Sequence, residues 1–452
     1  METNPKIFRA YDIRGIYQKD FDEELAYKLG LAYCHMRRKE LGKEDLQITA
    51  GCDMRTSSPI LKEYLIKGLS EGGAKVIDIG ICSTPTFYFA VSNYGYDGGI
   101  MVSASHNPKE YNGFKITRNK AISIGMGSGM EDLKELVFKD LSRSDYGEII
   151  EKKDILIEQV KHDLKYADIS RIKPLRIVID PANAMGAQYF DELFKHLPCE
   201  LIRMNWDLDG SFPAHEADPF KAENVKDLGE RVVKEGADLG IATDGDGDRI
   251  FFVDELGEPI EAGITRAILC KLFLKEKPGA KIAYDVRPGR ITKDVIVENG
   301  GEPIVTMVGH TLIKLKVLEV GAYFAGESSG HFFLNMPDGC YEIPMIVALK
   351  ILQELSESGM RFSHYIKDYQ KYYHSGEINL NIDNAEEKIQ MIKEKYSDAK
   401  LSDMDGISAE YDDFWFNVRL SNTQPLLRLN LEAKTKEIML QKRDELLELI
   451  KG

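Results

Sequence analysis

Residues 98–108 read Gly-Gly-Ile-Met-Val-Ser-Ala-Ser-His-Asn-Pro, an apolar strand running into a turn that presents the hydroxyl of Ser105 beside an imidazole and an amide. Two further stretches end apolar strands in the same way: Thr-Asp-Gly-Asp-Gly-Asp-Arg at 243–249 and Gly-Glu-Ser-Ser-Gly-His at 326–331. Three polar loops in equivalent settings predict one active site divided among three units.

Working outward from these loops, strand, amphipathic helix and strand recur three times with the same punctuation, which identifies an internal triplication. The first unit predicts strands at 46–53, 74–79 and 98–103 with a helix at 59–69. The second repeats this with strands at 175–180, 201–204 and 239–243, and the third with strands at 281–285, 304–308 and 322–325. In each, the first strand ends at an aspartate (Asp53, Asp180, Asp285) and the third enters a polar loop. A further strand follows each loop, at 113–117, 250–253 and 331–334, so the loops lie where α/β sheets bind ligands, beyond the carboxyl ends of their strands. After residue 367 the pattern becomes α+β, with strands at 378–382, near 415–420 and at 426–431, and helices at 385–396 and 436–451. The predicted domains are 1–150, 151–254, 255–366 and 367–452: three related mixed-sheet α/β domains and a C-terminal α+β domain.

A chain of 452 residues exceeds one ordinary core, in keeping with several domains. Its 59 Lys and Arg against 74 Asp and Glu give a net charge of -15, which excludes nucleic acid or an anionic membrane as the main partner. A phosphate ligand must then meet a local cluster of cations. The six cysteines are scattered without a Cys-x-x-Cys pair, which predicts reduced thiols in a cytoplasmic protein and disfavours zinc. The opening Met-Glu-Thr-Asn-Pro-Lys-Ile-Phe-Arg has no apolar targeting core, and no later run approaches the ~20 apolar residues of a membrane span.

Asp244, Asp246 and Asp248 alternate with glycines, so an extended loop turns their carboxylates to one side, a set of hard oxygen ligands suited to a divalent cation. An EF-hand is the competing pattern, but Arg249 stands where that loop needs glycine; a solvated acidic turn is the plainer alternative. Arg249 suits a phosphoryl oxygen beside the metal or a salt bridge to the same aspartates. Ser105 suits a nucleophile or a turn-capping hydroxyl, and the metal-type loop in an equivalent unit favours the nucleophile. Glu327, Ser329 and His331 can exchange hydrogen bonds with sugar hydroxyls, or Glu327 can be structural. In the last domain, residues 419–428 place Arg419 and Arg428 around a Ser-Asn-Thr turn able to cradle an anion. Arg9, Arg14 and Lys115 add cations whose ordinary use is surface pairing.

These motifs, with Phe-Arg-Ala-Tyr-Asp-Ile-Arg-Gly at 8–15, Tyr-Asn-Gly-Phe-Lys at 111–115, Phe-Pro-Ala-His at 212–215 and Val-Gly-His at 308–310, resemble the α-D-phosphohexomutase superfamily, closest to its phosphomannomutase/phosphoglucomutase group. The resemblance spans nearly the whole chain. It implies four domains around a central active-site cleft and an isomerase that interconverts hexose 1-phosphate and hexose 6-phosphate, of mannose and/or glucose, through phospho-Ser105 and a 1,6-bisphosphate. It implies Mg²⁺ held by Ser105, Asp244, Asp246 and Asp248, with glucose or mannose 1,6-bisphosphate as activator. Arg249 is then matched to the phosphoserine, Glu327 and Ser329 to the sugar, and Arg419, Ser421, Asn422, Thr423 and Arg428 to the distal phosphate. Tyr11, Arg14, Lys115 and His310 match positions near the reacting groups, without an assignment of general acid or base. Three positions depart from the usual pattern. Arg287 stands where lysine is common among sugar-site residues, Cys52 where arginine is common, and Ser328 where methionine is frequent. The expected assembly is a monomer or homodimer. The alternatives are a phosphoglucosamine mutase, whose phosphate turn is usually Ser-Gly-Thr, a serine-dependent sugar phosphatase, and a non-catalytic sugar-phosphate sensor, which would be expected to lack Ser105 or an aspartate.

Overall fold

A computed structural model describes residues 3–144, 146–287, 289–382, 384–420 and 426–451. The chain forms two compact units, Met1–Ile260 with Ser329–Tyr365, and Glu261–Ser328 with Ile366–Gly452.

The first unit holds two mixed sheets. One orders its strands Ile13–Ile16, Tyr111–Arg118, Gly98–Val102, Gln47–Cys52, Lys75–Ile81 and Ile149–Glu151. Gln47–Cys52 runs parallel to both its neighbours, while Tyr111–Arg118 turns back antiparallel on Gly98–Val102. The other orders Pro259–Ile260, Ile250–Val253, Leu239–Thr243, Arg176–Asp180 and Glu200–Arg203, again with the aspartate-ending strand parallel to two neighbours and the post-loop strand antiparallel. Gly98–Val102 and Leu239–Thr243 are buried at every position, as expected for strands covered on both faces, and this is why they read as continuous apolar runs. The hairpin Phe332–Asn335 with Cys340–Glu342 also belongs to this unit.

Helix Glu23–Leu41 starts where Asp22 accepts from the Glu24 N–H at 3.1 Å and stops at Gly42 in the left-handed region. It meets helix Ser58–Glu71 through glycines: a Cβ at Gly68 would lie 2.1 Å from the Tyr27 carbonyl oxygen, and one at Gly30 2.7 Å from that of Leu65. Only side-chain-free positions let the two backbones touch there.

In the second unit Lys281–Asp285 lies parallel to Glu302–Thr306 on one side and Phe324–Gly326 on the other, the third occurrence of the same arrangement. The middle strand was expected at 304–308. It ends at Thr306, because the Val308 N–H donates to Asp405 Oδ2 at 3.1 Å and Gly309 takes a φ of 129° that no strand continues. The C-terminal part is an antiparallel sheet ordered Tyr373–His374, Leu427–Ala433, Phe414–Leu420, Ile407–Glu410 and Lys400–Ser402, with Ile378–Leu380 also on Leu427–Ala433. Helices Ala385–Lys395 and Lys436–Lys451 supply Ile392, Leu446 and Ile450 to its core. Among the described residues no helix is long and apolar enough to cross a membrane.

Candidate active site

Ser105 follows strand Gly98–Val102 with a φ of 49°, a conformation that non-glycine residues adopt only when their surroundings hold them there. Arg55 does the holding. Its buried guanidinium donates to the carbonyl oxygens of Ser105 (2.7 Å), Asn107 (2.6 Å), Pro108 (2.8 Å) and Tyr111 (3.1 Å), so one fork fixes the whole turn. The Ser105 hydroxyl, buried, donates to Asp244 Oδ2 at 2.7 Å and lies 3.2 Å from His106 Nδ1. Burial and the nearby Arg249 and Arg14 cations push His106 well below the usual imidazole range, so it is neutral near pH 7.

The aspartate loop meets the serine loop backbone to backbone: a Cβ on Gly245 would lie 2.4 Å from the Ser105 carbonyl oxygen. Asp244, Asp246 and Asp248 are buried, and one carboxylate oxygen of each lies within 4.8 Å of the others. Asp244 Oδ1 accepts the N–H groups of Asp248 and Arg249, each at 3.1 Å. Lys115, on the strand that follows the serine loop, places Nζ 2.5 Å from Asp246 Oδ2 and from Asp248 Oδ2. Burial alone would lower its pKa, but the two carboxylates override this and hold it well above the usual lysine range. Asp244 is pushed well above the carboxylate range by burial and then by the charges of Asp248 and Asp246. Three buried carboxylates beside one ammonium, with Asp246 Oδ1 buried and lacking a hydrogen-bond partner, make a donor set that fits a hard divalent cation.

Around this centre the Arg249 Nε donates to His331 Nε2 at 3.0 Å, and its guanidinium lies 3.7 Å from Asp244 and 3.8 Å from Asp218. Arg14 donates to Asn107 Oδ1 at 2.6 Å and pairs with Asp12. Tyr11 is half-buried in the bend before strand Ile13–Ile16, and Ser329 is half-buried two residues before His331. Ser105, Lys115, Arg249 and the three aspartates, read separately from the sequence, therefore come together in the first unit, with Arg14 bonded to Asn107 of the serine turn.

The second unit assembles the other predicted residues. Asp285, at the end of its strand, accepts from Arg266 at 2.6 Å, from the Ser328 N–H at 3.1 Å and from its hydroxyl at 2.8 Å, and also pairs with Arg287. Burial would raise the Asp285 pKa, but Arg287 and Arg266 bring it down to about 2. Arg287 reaches Glu327 at 3.1 Å, and Glu327 accepts the Gly309 N–H at 3.0 Å, beside His310 at the start of helix His310–Val320. The Ser328 hydroxyl, where a methionine was the usual residue, is thus part of the loop's anchorage. Arg419 and Arg428 face each other on paired strands, and both hold Glu377, at 3.0 and 2.8 Å. Burial works against the Glu377 charge, and Arg287, Arg419 and Arg428 outweigh it and lower its pKa. Ser421, Asn422 and Thr423 lie outside the described residues. Sequence reasoning missed Glu377 and Arg266, isolated residues with no motif around them, and Thr84, whose hydroxyl donates to Asp246 Oδ2 at 2.5 Å.

The four domain models of phosphoglucomutase/phosphomannomutase match in order: α/β/α domain I at 5–142, domain II at 154–257, domain III at 264–372 and the C-terminal domain at 377–449. The chain belongs to the phosphoglucomutase/phosphomannomutase family. It is 40% identical over 453 residues to a phosphomannomutase of Methanocaldococcus jannaschii, covering 98% of this chain and 97% of that protein. It is 34% identical to a phosphomannomutase/phosphoglucomutase of Pseudomonas syringae, over 95% and 91% of the two chains. Among solved structures, a family protein from Burkholderia thailandensis superposes with a TM-score of 0.89 at 30% identity, covering 100% and 98% of the two chains. Membership makes this protein an enzyme, a mutase of hexose phosphates.

Proposed function

We propose that this enzyme interconverts the 1- and 6-phosphates of mannose and/or glucose by way of phospho-Ser105, with Mg²⁺ at the three aspartates and a 1,6-bisphosphate as intermediate and activator. The observation that carries this is the Ser105 hydroxyl, 2.7 Å from Asp244 within the cluster that also holds Asp246, Asp248 and Lys115. The oxygens on C1 and C6 of one sugar are too far apart for a single in-line transfer, so a protein-borne phosphoryl group has to serve both. In the first half-reaction the P–O bond to Ser105 breaks as one forms to the free sugar hydroxyl, whose proton passes to a base. The bisphosphate reorients, and Ser105 then takes the other phosphoryl group while the sugar oxygen regains a proton. Tyr11, Arg14, Lys115 and His310 are the candidates for these proton transfers.

A phosphoserine carries a charge of about −2. Beside three carboxylates it would meet Lys115 and Arg249, the cations that approach those carboxylates, and the Arg55 guanidinium behind the turn, too little positive charge to balance all of them. Bound at Asp244, Asp246 and Asp248, Mg²⁺ would supply the missing charge neutralisation as a Lewis acid. Lys115 and Arg249 stabilise charge on the transferring group, Arg287, Glu327 and Ser329 orient the sugar, and Arg419 and Arg428, with the Ser421–Thr423 turn, hold the phosphate that is not reacting. The six free cysteines support a reducing, cytoplasmic setting, with the enzyme acting as a monomer or homodimer.

The test is ³¹P NMR with Mg²⁺, a trace of glucose 1,6-bisphosphate, and mannose, glucose or glucosamine 1-phosphate in separate tubes. Growth of a 6-phosphate resonance with mannose or glucose is expected. Turnover of glucosamine 1-phosphate alone would reassign the sugar, and inorganic phosphate alone would make the enzyme a phosphatase. Intact mass should show one phosphate on the wild type and none on Ser105→Ala; equal phosphate on both would refute Ser105 as the carrier.

A further inference from the structure

A cavity of about 690 Å³ in the first unit is lined by Cys82, Ser83, Thr86 and Tyr189 among others. Lys62 pairs with Asp78 at 2.6 Å and Lys195 with Glu192 at 2.5 Å, and the other lining charges, Lys152 and Lys153 with Glu151, Asp154 and Asp191, are of both signs, so the lining does not select a ligand of either sign. Its wall is more informative than its volume, because the segment 82–86 backs directly onto the aspartate loop.

Thr84, fully buried, is the first residue of helix Thr84–Asn93, whose start is capped by Ser83 accepting from the Thr86 N–H at 3.2 Å. Thr84 grips Asp246 at two points. Its hydroxyl donates to Asp246 Oδ2 at 2.5 Å, and its N–H donates to the Asp246 carbonyl oxygen at 2.9 Å. Lys115 Nζ lies on the same Oδ2 at 2.5 Å. Two donors therefore occupy one oxygen of this carboxylate, while the other, Oδ1, is buried without a hydrogen-bond partner. On the neighbouring residue, the Tyr189 hydroxyl donates to the Gly247 carbonyl oxygen at 3.2 Å, which keeps the backbone from following a rotating carboxylate.

We propose that Thr84 is a positioning residue of the cation site: by tying up Asp246 Oδ2 it presents Oδ1 as the oxygen offered to the divalent ion. This rests on the metal reading given above. Groups that orient a ligand without touching the metal typically cost 10–100-fold in metal affinity when removed. A threonine at this place is consequential because valine keeps its shape and loses only the donor.

The experiment is titration of the whole enzyme with Mn²⁺, followed by electron paramagnetic resonance and displaced with Mg²⁺, for wild type, Thr84→Val and Thr84→Ser. Thr84→Val should bind Mn²⁺ roughly 10–100-fold more weakly. Thr84→Ser, which keeps the hydroxyl, should stay within about threefold of wild type, and the KM for hexose phosphate at saturating metal should be unchanged in both. General damage to the fold would move KM and metal affinity together. If Thr84→Val does not fold, Thr84→Ala removes the same donor without filling the space. Wild-type affinity in the hydroxyl-free variant, or equal losses in Thr84→Ser and Thr84→Val, would overturn the proposal. Failure of the metal reading itself would show separately, as a wild-type enzyme that binds no Mn²⁺.

Discussion

Gly245→Ala adds one methyl group where the aspartate loop crosses the serine loop, and the structure sets the size of the effect. The new Cβ would lie 2.4 Å from the Ser105 carbonyl oxygen, and the atom it meets belongs to the backbone. Carbon and oxygen in ordinary contact need about 3.4 Å, so the loops must separate by about 1 Å. Neither gives way easily: Arg55 holds the same carbonyl oxygen at 2.7 Å, and Thr84 holds Asp246 at 2.5 Å. The separation falls on the 2.7 Å contact between Ser105 and Asp244, the one on which the proposed phosphoryl transfer depends. Misplacement by 1 Å at a reacting centre costs about 100-fold in rate, whereas overpacking of a folded region costs typically 1–3 kcal/mol in stability. Gly245→Ala should therefore remain folded by circular dichroism, lose about two orders of magnitude in kcat with hexose 1-phosphate, and retain KM within a few-fold. Activity within threefold of wild type in a folded variant would show that the apposition of the two loops is not what sets Ser105 against the three aspartates.

Lys115→Met removes the ammonium between Asp246 and Asp248, and stranding buried charge costs roughly 3–5 kcal/mol, so the metal-free variant should melt well below wild type and regain much of the difference with saturating Mg²⁺. Asp285 has a folded-state pKa of about 2, below its unfolded value, so its contribution is present above the ordinary carboxylate pKa and is lost as pH falls from about 4 to about 2. The stability gap between wild type and Asp285→Asn in urea titrations should be flat from pH 6 to 8 and close across that acid window; a gap that persists at pH 2 would refute the pairing with Arg266 and Arg287. Glu377→Gln removes the negative charge held between Arg419 and Arg428 in a largely buried set, and should lower the KM for hexose phosphate by roughly threefold to tenfold, about 0.7–1.4 kcal/mol, while slowing kcat. A raised KM would mean that Glu377 chiefly aims the two arginines.

The repeating architecture was legible because it is local. Strands such as Leu239–Thr243 are covered on both faces and read as apolar runs, and the aspartates that end Arg176–Asp180 and Lys281–Asp285 mark where each chain leaves its sheet. The chemistry-bearing loops were legible for a related reason, since alternating Asp and Gly, or a serine in a Ser-His-Asn-Pro turn, keep their spacing as segments. The anchoring residues were not. Arg55 gathers four carbonyl oxygens spread over residues 105–111, and Thr84 reaches Asp246 across 162 residues of chain. Such contacts depend on tertiary placement and leave no periodic trace. The strand expected at 304–308 failed similarly: the apolar pattern continued to Val308, but the strand ends at Thr306, where the Val308 N–H turns to Asp405 and Gly309 takes a positive φ.

The pairing of these cations resolves how a chain of net charge -15 can work on dianionic substrates. Lys115 lies between two aspartates, Arg287 between Asp285 and Glu327, and Arg419 and Arg428 share Glu377. Long-range attraction of anions is thereby given up, since each positive group is matched nearby and screening removes most of what remains beyond about 8 Å. What is gained is preorganisation: each guanidinium is fixed before a phosphate arrives, so little side-chain entropy is lost on binding. The same carboxylates limit how tightly any phosphate can be held. The proposed passage of one bisphosphate between two orientations needs that limit, because a site that bound phosphate with unopposed arginines would retain the intermediate in the first orientation and stall the second transfer.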